Sequence, residues 1–373
     1  IRLQASEIER GTRMQEAYGI ILKQLKQHFT VKLTSVNASF IKKHIPHVVY
    51  HRMCASKRQE TIQEQTDKPI KDMKRAIIIL MALASYLASN AQLLYRITGD
   101  GVKSESYIIG TYHVADAAMV DSIPGAREAL LSVEQVCGEL AIADLMNADS
   151  LKTMMAYMYL PEGQTLQTLL PEADYDRLRS LISTISGGAM DNDAIDRTYG
   201  RMTPAMLTNN LTIALTMKNN HRKADMQNPM DIYLQRAAAG AGKPTMGLET
   251  VSFQSKTLFG IPMRRQVEQL MCLVDNLEFY ETQIRSLSDA YYGQDMKKIE
   301  EAMEACIGTS CDSTPDEKDR LIKNRNLNWA KLMPAIMGAK PTLFAVGAGH
   351  LCGEHGMIQL LRNAGYCVEA VSR

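Results

Sequence analysis

Residues 341–355, with the sequence PTLFAVGAGHLCGEH, decide the fold. Their apolar run predicts a buried strand that ends in a G-x-x-H motif at His350. Residues 107–113 (YIIGTYH) repeat this arrangement far upstream and end at His113. The motif glycine permits a tight or left-handed turn. Because the carboxyl ends of parallel strands meet at one edge of a sheet, both imidazoles are expected at that edge.

The segments after the two histidines are also alike. Residues 124–135 have helical spacing and lead into an apolar strand over 136–142. Residues 353–364 have helical spacing, stop at Gly365 and lead into a strand over 366–371. The sequence therefore predicts a strand–GxxH–helix–strand unit used twice, within an α/β fold that has a mostly parallel central sheet.

The net charge of +1 conceals two parts of opposite charge. Residues 1–75 contain 15 Lys and Arg against 7 Asp and Glu, whereas residues 76–373 contain 27 against 34. With 46% apolar and 22% charged residues, the chain of 373 residues is ordinary globular material. The acidic body argues against a nucleic-acid partner.

Residues 73–91 have the three parts of a secretory signal peptide: a basic start, an apolar centre and small residues before a cleavage site at Gln92. A membrane anchor is the alternative, since residues 76–95 are uncharged over a length near that of a bilayer span. The signal peptide predicts a secreted or periplasmic protein with no stable membrane anchor after cleavage. Residues 1–72 are then interpreted as upstream sequence translated in frame or as a basic cytosolic extension.

The mature body is expected to be one domain, residues 92–373. It opens with a hairpin whose turn lies at residues 99–101 (GDG). Residues of about 147–243 predict a helical insertion or cap, rich in methionines that belong either to the core or to an adaptable peptide groove. A short strand then places Glu249 at the sheet edge.

The body contains six cysteines. Cys306 and Cys311 are close enough in sequence to form a disulfide in an exported protein, and other pairings stay open. The remaining expectation is that Cys137, Cys352 and Cys367 are buried small apolar residues.

Four side chains are candidates for a shared site: His113, Glu139, Glu249 and His350. Imidazoles with one or two carboxylates suit Zn, Mn, Co or Fe better than Ca or Mg. Such an ion lowers the pKa of a bound water and polarises a carbonyl, and a carboxylate left free accepts the proton.

Five segments together resemble the TraB/GumN/Tiki family, also called TraB/PrgY/GumN. The resemblance covers essentially all of residues 92–373 and rests on YIIGTYH, VCGELAI, PTMGLETVSFQ, KNRNLNWAKLM and FAVGAGHLCGEHGMIQLLRNAGYCVEAV. It implies a Tiki-type metal-dependent peptidase that uses one divalent ion, manganese or cobalt before zinc, and acts on a peptide or protein.

The resemblance also implies roles for six residues. The metal ligands are expected to be His113, Glu139 and His350. Glu249 is expected to be a ligand or general base, Arg325 the clamp on a carboxylate or developing oxyanion, and Asn326 a hydrogen-bonding positioner. An ion pair that holds its helix is the structural alternative for Arg325. No role is expected for His221, His355 or Glu369.

Two other functions stay open at this point. The predicted fold is similar to that of haem- and iron-binding lipoproteins and of macrolide esterases, so the same edge would serve haem binding or ester hydrolysis. A non-catalytic protein that sequesters a peptide is the other alternative.

Overall fold

The computed structural model describes residues 92–219 and 228–371. Its centre is a six-stranded mixed sheet in the order β4-β3-β5-β2-β1-β6. The predicted α/β class with a mostly parallel sheet is confirmed. The strands are β1 (Leu94–Thr98), β2 (Ser106–Thr111), β3 (Gln135–Gly138), β4 (Thr245–Gly247), β5 (Thr342–Gly347) and β6 (Cys367–Ala370).

Strand direction follows from the pairings. β2, β5, β3 and β4 run parallel to one another, whereas β1 is antiparallel to both β2 and β6. The β1–β2 pair is the predicted hairpin, with Leu94 opposite Ile109. The strands of neither predicted unit are neighbours, because β5 lies between β2 and β3, while β2 and β1 lie between β5 and β6.

The strands are joined mainly by helices, some of a single turn. These helices are α1 (Met119–Ser122), α2 (Ala126–Ser132), α3 (Ile142–Leu145), α4 (Ala148–Met158), α5 (Leu166–Leu169), α6 (Glu172–Ile185), α7 (Asn192–Tyr199), α8 (Pro204–Asn219), α9 (Met230–Gly240), α10 (Val251–Phe259), α11 (Met263–Asp275), α12 (Leu277–Tyr292), α13 (Met296–Met303), α14 (Pro315–Lys318), α15 (Asn324–Ala339) and α16 (Met357–Asn363). A π-helical segment (Asp319–Lys323) precedes α15, and a 3₁₀ helix (Ala348–Leu351) follows β5. No helix within the described part of the chain is both long and apolar enough to span a bilayer.

The apolar side chains form two clusters. One packs the sheet between helices and includes Trp329, Phe344 and Val346. The other consists of helices only, with residues from α5 to α8 packed against α11 and α12. The helical region between β3 and β4 therefore has its own core, and it recruits two helices from beyond residue 243 to complete it.

The two motif glycines differ from the prediction, since neither Gly110 nor Gly347 has a positive φ. Space is the reason for Gly110: a Cβ there would lie 3.0 Å from both the Ala348 Cα and the Leu351 Cδ1. The glycine lets the end of β2 approach the 3₁₀ helix that carries His350. The predicted helix stop at Gly365 is confirmed, with φ of +93°.

The Cys306–Cys311 disulfide, one of the pairings that the sequence left open, does not form. Cys311 is bonded to Cys272 of α11, and Cys306 is free and exposed. Arg265 explains this choice, because it lies two turns before Cys272 on α11 and donates to the carbonyl oxygens of Ser310 and Asp312. These bonds hold Cys311 against the helix.

The three cysteines that were expected to be buried differ in their exposure. Cys137 is buried, Cys352 is half-buried, and Cys367 is exposed in β6, so the expectation is wrong for Cys367. The cause is the edge position of β6, whose residues alternate between the core and solvent.

Candidate functional site

Four neighbouring strands end at the same edge of the sheet, and each delivers one candidate residue. Glu139 follows the last residue of β3, and Glu249 lies two residues after β4. His113 lies two residues after β2, and His350 lies in the 3₁₀ helix after β5. The Glu249 N–H donates to the Glu139 carbonyl oxygen at 2.9 Å, which ties the two carboxylate segments together.

The guanidinium of Arg325, at the start of α15, connects three of these groups. Its Nε and Nη2 donate to the two carboxylate oxygens of Glu249 at 2.8 and 3.0 Å. Nη2 also donates to Glu139 Oε2 at 2.5 Å, and Nη1 donates to His350 Nε2 at 2.9 Å and to the Leu321 carbonyl at 3.3 Å. All five donors of Arg325 are therefore used within the protein.

His350 has a defined tautomer. Arg325 has only donors, so His350 Nε2 accepts and its proton lies on Nδ1, which donates to Asn326 Oδ1 at 2.7 Å. Burial lowers the pKa of His350 to about 3, Glu139 opposes this, and the positive charge of Arg325 adds to it. His350 is thus a neutral imidazole whose Nε2 lone pair faces the carboxylates.

Asn326 holds both the ring and the backbone of His350. Its Nδ2 donates to the carbonyl oxygens of His350 and His355 at 3.1 and 2.8 Å, while its Oδ1 accepts from His350 Nδ1. The Trp329 ring lies on the imidazole with centroids 4.4 Å apart. The same α15 helix therefore supplies the residue that fixes the ring's position and the one that fixes its tautomer.

Glu139 is also enclosed by the site, although its side chain, at 11% exposed, is less buried than that of Glu249 at 3%. Its Oε1 accepts from the Gly347 N–H at 2.8 Å and lies 3.9 Å from His350 Nε2, and Gln254 donates to its Oε2 at 3.1 Å. Burial alone would raise its pKa, but cationic neighbours lower that pKa to about 2. Because His350 is neutral near pH 7, the cations that lower the pKa of Glu139 there are Arg325 and then His113.

His113 differs from His350 in its surroundings. Its side chain is 65% exposed, and its Nδ1 lies 3.0 Å from Asp231 Oδ2 on α9. This hydrogen bond to Asp231 raises the pKa of His113 to about 9. Solvent screens the pair at this exposure, which keeps its contribution to the stability of the fold small.

The donor chemistry suits a divalent ion. Both histidines have Nδ1 engaged by an oxygen, as metal-ligating imidazoles usually do, and this leaves Nε2 for a ligand. Asp231 Oδ1 is buried and accepts no hydrogen bond from the described residues. Within those residues, however, no three His, Cys, Asp or Glu side chains are grouped as a metal site, and Arg325 faces the His350 lone pair.

Direct hydrogen bonds link five of the six residues predicted from sequence: Glu139, Glu249, Arg325, Asn326 and His350. The sixth, His113, reaches the same edge of the sheet at the end of its own strand. His221 lies outside the described residues. His355 contributes its carbonyl group, and Glu369 is exposed and paired with Arg96.

Three contributors were given no role from the sequence: Asp231, which only the family resemblance pointed to, and Gln254 and Trp329. Each lies on a helix, where no strand-end pattern marks it. Trp329 had one usable signal, because it lies four residues after Arg325 and therefore on the same face of α15. It donates to Glu249 Oε1 at 3.0 Å.

Comparison with known proteins finds relatives that are named metalloproteases. "Metalloprotease TIKI homolog" of Amphimedon queenslandica is 24% identical over 346 residues, which is 81% of this chain and 67% of that protein. "Metalloprotease TIKI2" of Danio rerio is 25% identical over 309 residues, with 71% and 58% covered. "Metalloprotease TIKI1" of Homo sapiens is 25% identical over 309 residues, with 71% and 59% covered.

The chain thus spans about three fifths of the length of the two vertebrate proteins. No solved structure matches it. The model of the TraB/PrgY/gumN family matches residues 93–370, which include every residue of the site. The chain belongs to the TraB/PrgY/gumN family.

Proposed function

We propose that the protein is an exported peptidase, or a related hydrolase, that depends on a divalent metal ion. The observation that carries the proposal is the convergence of His350 Nε2 and the Glu139 carboxylate, 3.9 Å apart, at the edge reached by His113. The relatives named metalloproteases support it. The proposal includes the signal peptide at residues 73–91 and a secreted or periplasmic location.

His113, Glu139 and His350 are the residues that would hold the ion. A divalent ion would supply Lewis acidity, which lowers the pKa of water and polarises a peptide carbonyl. Manganese or cobalt is proposed before zinc. In this proposal each of the two strand–GxxH–helix–strand units places one of the two histidines at the sheet edge.

Arg325 and Glu249 are proposed to act as a linked pair. Glu249 accepts three hydrogen bonds from Arg325 and Trp329, so it can take a proton only after Arg325 releases it. A substrate carbonyl or carboxylate that takes over the Arg325 donors would free Glu249 as the general base. Asn326 keeps the His350 Nε2 lone pair directed at the site throughout.

The experiment uses the purified full chain, stripped of metal and given manganese, cobalt or zinc in turn. A mixed peptide library is incubated with it and read by mass spectrometry. Metal-dependent cleavage is expected, and His113→Ala should abolish it. His355→Ala is the matched control, because only the carbonyl group of His355 takes part in the site.

Retained cleavage in His113→Ala would contradict the proposed ligand set. If no metal restores cleavage in the wild type, the peptidase proposal is wrong. A Soret band in the purified protein, or peptide held without cleavage, would then identify a haem- or peptide-binding protein on the same scaffold.

A further inference from the structure

Asp231, in the first turn of α9, contacts the imidazole of His113. The distance from Asp231 Oδ2 to His113 Nδ1 is 3.0 Å. An ionised carboxylate only accepts hydrogen bonds, so the proton of this bond lies on Nδ1. The bond therefore fixes the rotation of the ring and leaves the other nitrogen, Nε2, on the far side from Asp231.

Two contacts hold Met230, the residue before Asp231, against the chain on both sides of the histidine. The Met230 N–H donates to the Ala115 carbonyl oxygen at 3.0 Å. The Met230 sulfur lies 3.1 Å from the hydroxyl of Tyr291, which also lies 3.1 Å from the Gly110 carbonyl oxygen. Met230 and Tyr291 are both buried. Buried packing therefore holds the carboxylate in place beside the imidazole.

The ion pair between Asp231 and His113 contributes little to the stability of the fold. The His113 side chain is 65% exposed and that of Asp231 25%, so solvent screens their attraction. The second carboxylate oxygen, Asp231 Oδ1, is buried and accepts no hydrogen bond from the described residues, which costs free energy. Stability therefore does not account for this carboxylate, whereas its effect on the imidazole does.

The two histidines of the site are held in different ways. His350 is buried, and both Asn326 and Trp329 contact its ring. The ring of His113 is mostly exposed, and its hydrogen bond to Asp231 restrains it. Asp231 therefore does for the exposed histidine what Asn326 does for the buried one, since each accepts the Nδ1 proton of its imidazole.

We propose that Asp231 is the positioning residue of His113, which it holds in the tautomer and rotation that leave Nε2 for the divalent ion. The inference rests on the proposed function and adds a residue to it. Metal-ligating histidines commonly donate their second ring N–H to a carboxylate, and loss of such a partner weakens metal binding. Asp231 thus acts through His113 and does not touch the ion itself.

The test measures the binding of manganese, cobalt and zinc to the purified full chain by isothermal titration calorimetry, together with the Tm of each variant. Asp231→Ala removes the acceptor of the His113 proton, whereas Asp231→Asn keeps an oxygen at the same place. Asp196→Asn is the matched control. Asp196 is 33% exposed and pairs with Arg179, and it lies on α7 in the helical region between β3 and β4.

Asp231→Ala is expected to weaken binding of the ion by about 10–100-fold at an unchanged Tm. Asp231→Asn should lose less, and Asp196→Asn should bind the ion as the wild type does. Unchanged affinity in Asp231→Ala overturns the proposal, and so does an equal loss in Asp196→Asn. If Asp231→Ala does not fold, Asp231→Asn gives the same comparison with the control.

A double variant separates positioning from direct contact with the ion. If Asp231 acts through His113, its removal has no further effect once His113 is alanine. His113→Ala/Asp231→Ala should therefore bind the ion as weakly as His113→Ala alone, through Glu139 and His350. A further loss of affinity in the double variant would show that Asp231 itself contacts the ion, and would overturn the positioning role.

The positioning role and the proposed function fail in different ways. Ion binding that Asp231→Ala weakens, without any peptide cleavage by the wild type, supports the positioning role and removes the enzyme. Metal-dependent cleavage by the wild type, with unchanged ion affinity in Asp231→Ala, supports the enzyme and removes the positioning role. A wild type that binds none of the three ions overturns both.

Discussion

Two arginines of the molecule have the same hydrogen-bond count and different partners. Arg325 at the sheet edge and Arg265 on α11 both have all five donors engaged, and each binds one glutamate through two nitrogens. Arg265 otherwise contacts Glu268 and the carbonyl oxygens of one loop. Arg325 instead joins side chains delivered by three different strands.

The difference shows that an arginine whose five N–H donors are all hydrogen-bonded does not by itself mark a functional site. Arg265 also meets two carboxylates, those of Glu268 and Glu317, but no imidazole, and it fastens a loop beside the disulfide. Carboxylates and an imidazole lone pair are groups that bind ions and move protons, so their convergence on Arg325 marks the site. Four predictions test this contrast, beginning with the largest expected effect.

Arg325→Gln is expected to lower the free energy of unfolding by about 3–5 kcal/mol, because it leaves two buried carboxylates without their cation. Both are shielded, with Glu139 11% and Glu249 3% exposed. Chemical denaturation measures the loss. A loss of unfolding free energy smaller than that of the matched Arg265→Gln variant would contradict the contrast drawn between the two arginines.

Asn326→Ala is expected to cost about 2 kcal/mol, since it removes the acceptor of His350 Nδ1–H and the donor to two carbonyls. It should also weaken metal binding by about 10–100-fold, because the imidazole is no longer held. Calorimetric titration with manganese checks this. Unchanged affinity would show that Asn326 is purely structural.

Arg265→Gln is expected to cost about 1–2 kcal/mol and to leave any hydrolytic activity unchanged, because its partners lie in the loop around residues 310–317. The Cys272–Cys311 bond still holds that loop in the variant. Denaturation and the peptide-library assay are the measurements. Lost activity at full folding would place this region in the functional site as well.

The smallest effect concerns pH. The hydrogen bonds from Arg265 hold the pKa of Glu317 below its ordinary value, against the effect of burial. Its stabilisation is therefore complete above the unfolded value of about 4.3 and is lost as pH falls through the lower folded pKa. Wild type and Glu317→Gln should differ by about 1 kcal/mol or less at pH 7 and converge towards pH 3. A gap that widens on acidification would contradict this sign.

Much of the site could be predicted from sequence because its carboxylates and histidines follow buried strands. Parallel strands bring such positions to one edge whatever their separation along the chain. No such rule places Asp231 and Gln254, because both lie on helices. The packing of those helices determines which residues they contact. The partner of Cys311 was missed for the same reason: Arg265 on a distant helix determines where that loop lies.

The pairing of β1 with β6 has a consequence for the time at which the site forms. The first and last strands of the sheet are partners, with Tyr95 opposite Ala370, and His350 lies only 17 residues before β6 begins. Such long-range pairing slows folding and defers it to the end of synthesis. A nascent chain carries Glu139 and Glu249 before Arg325 and His350 are made, and when these are made the first strand still lacks its partner β6. We expect it to remain inert towards the proteins around it until its last strand has docked.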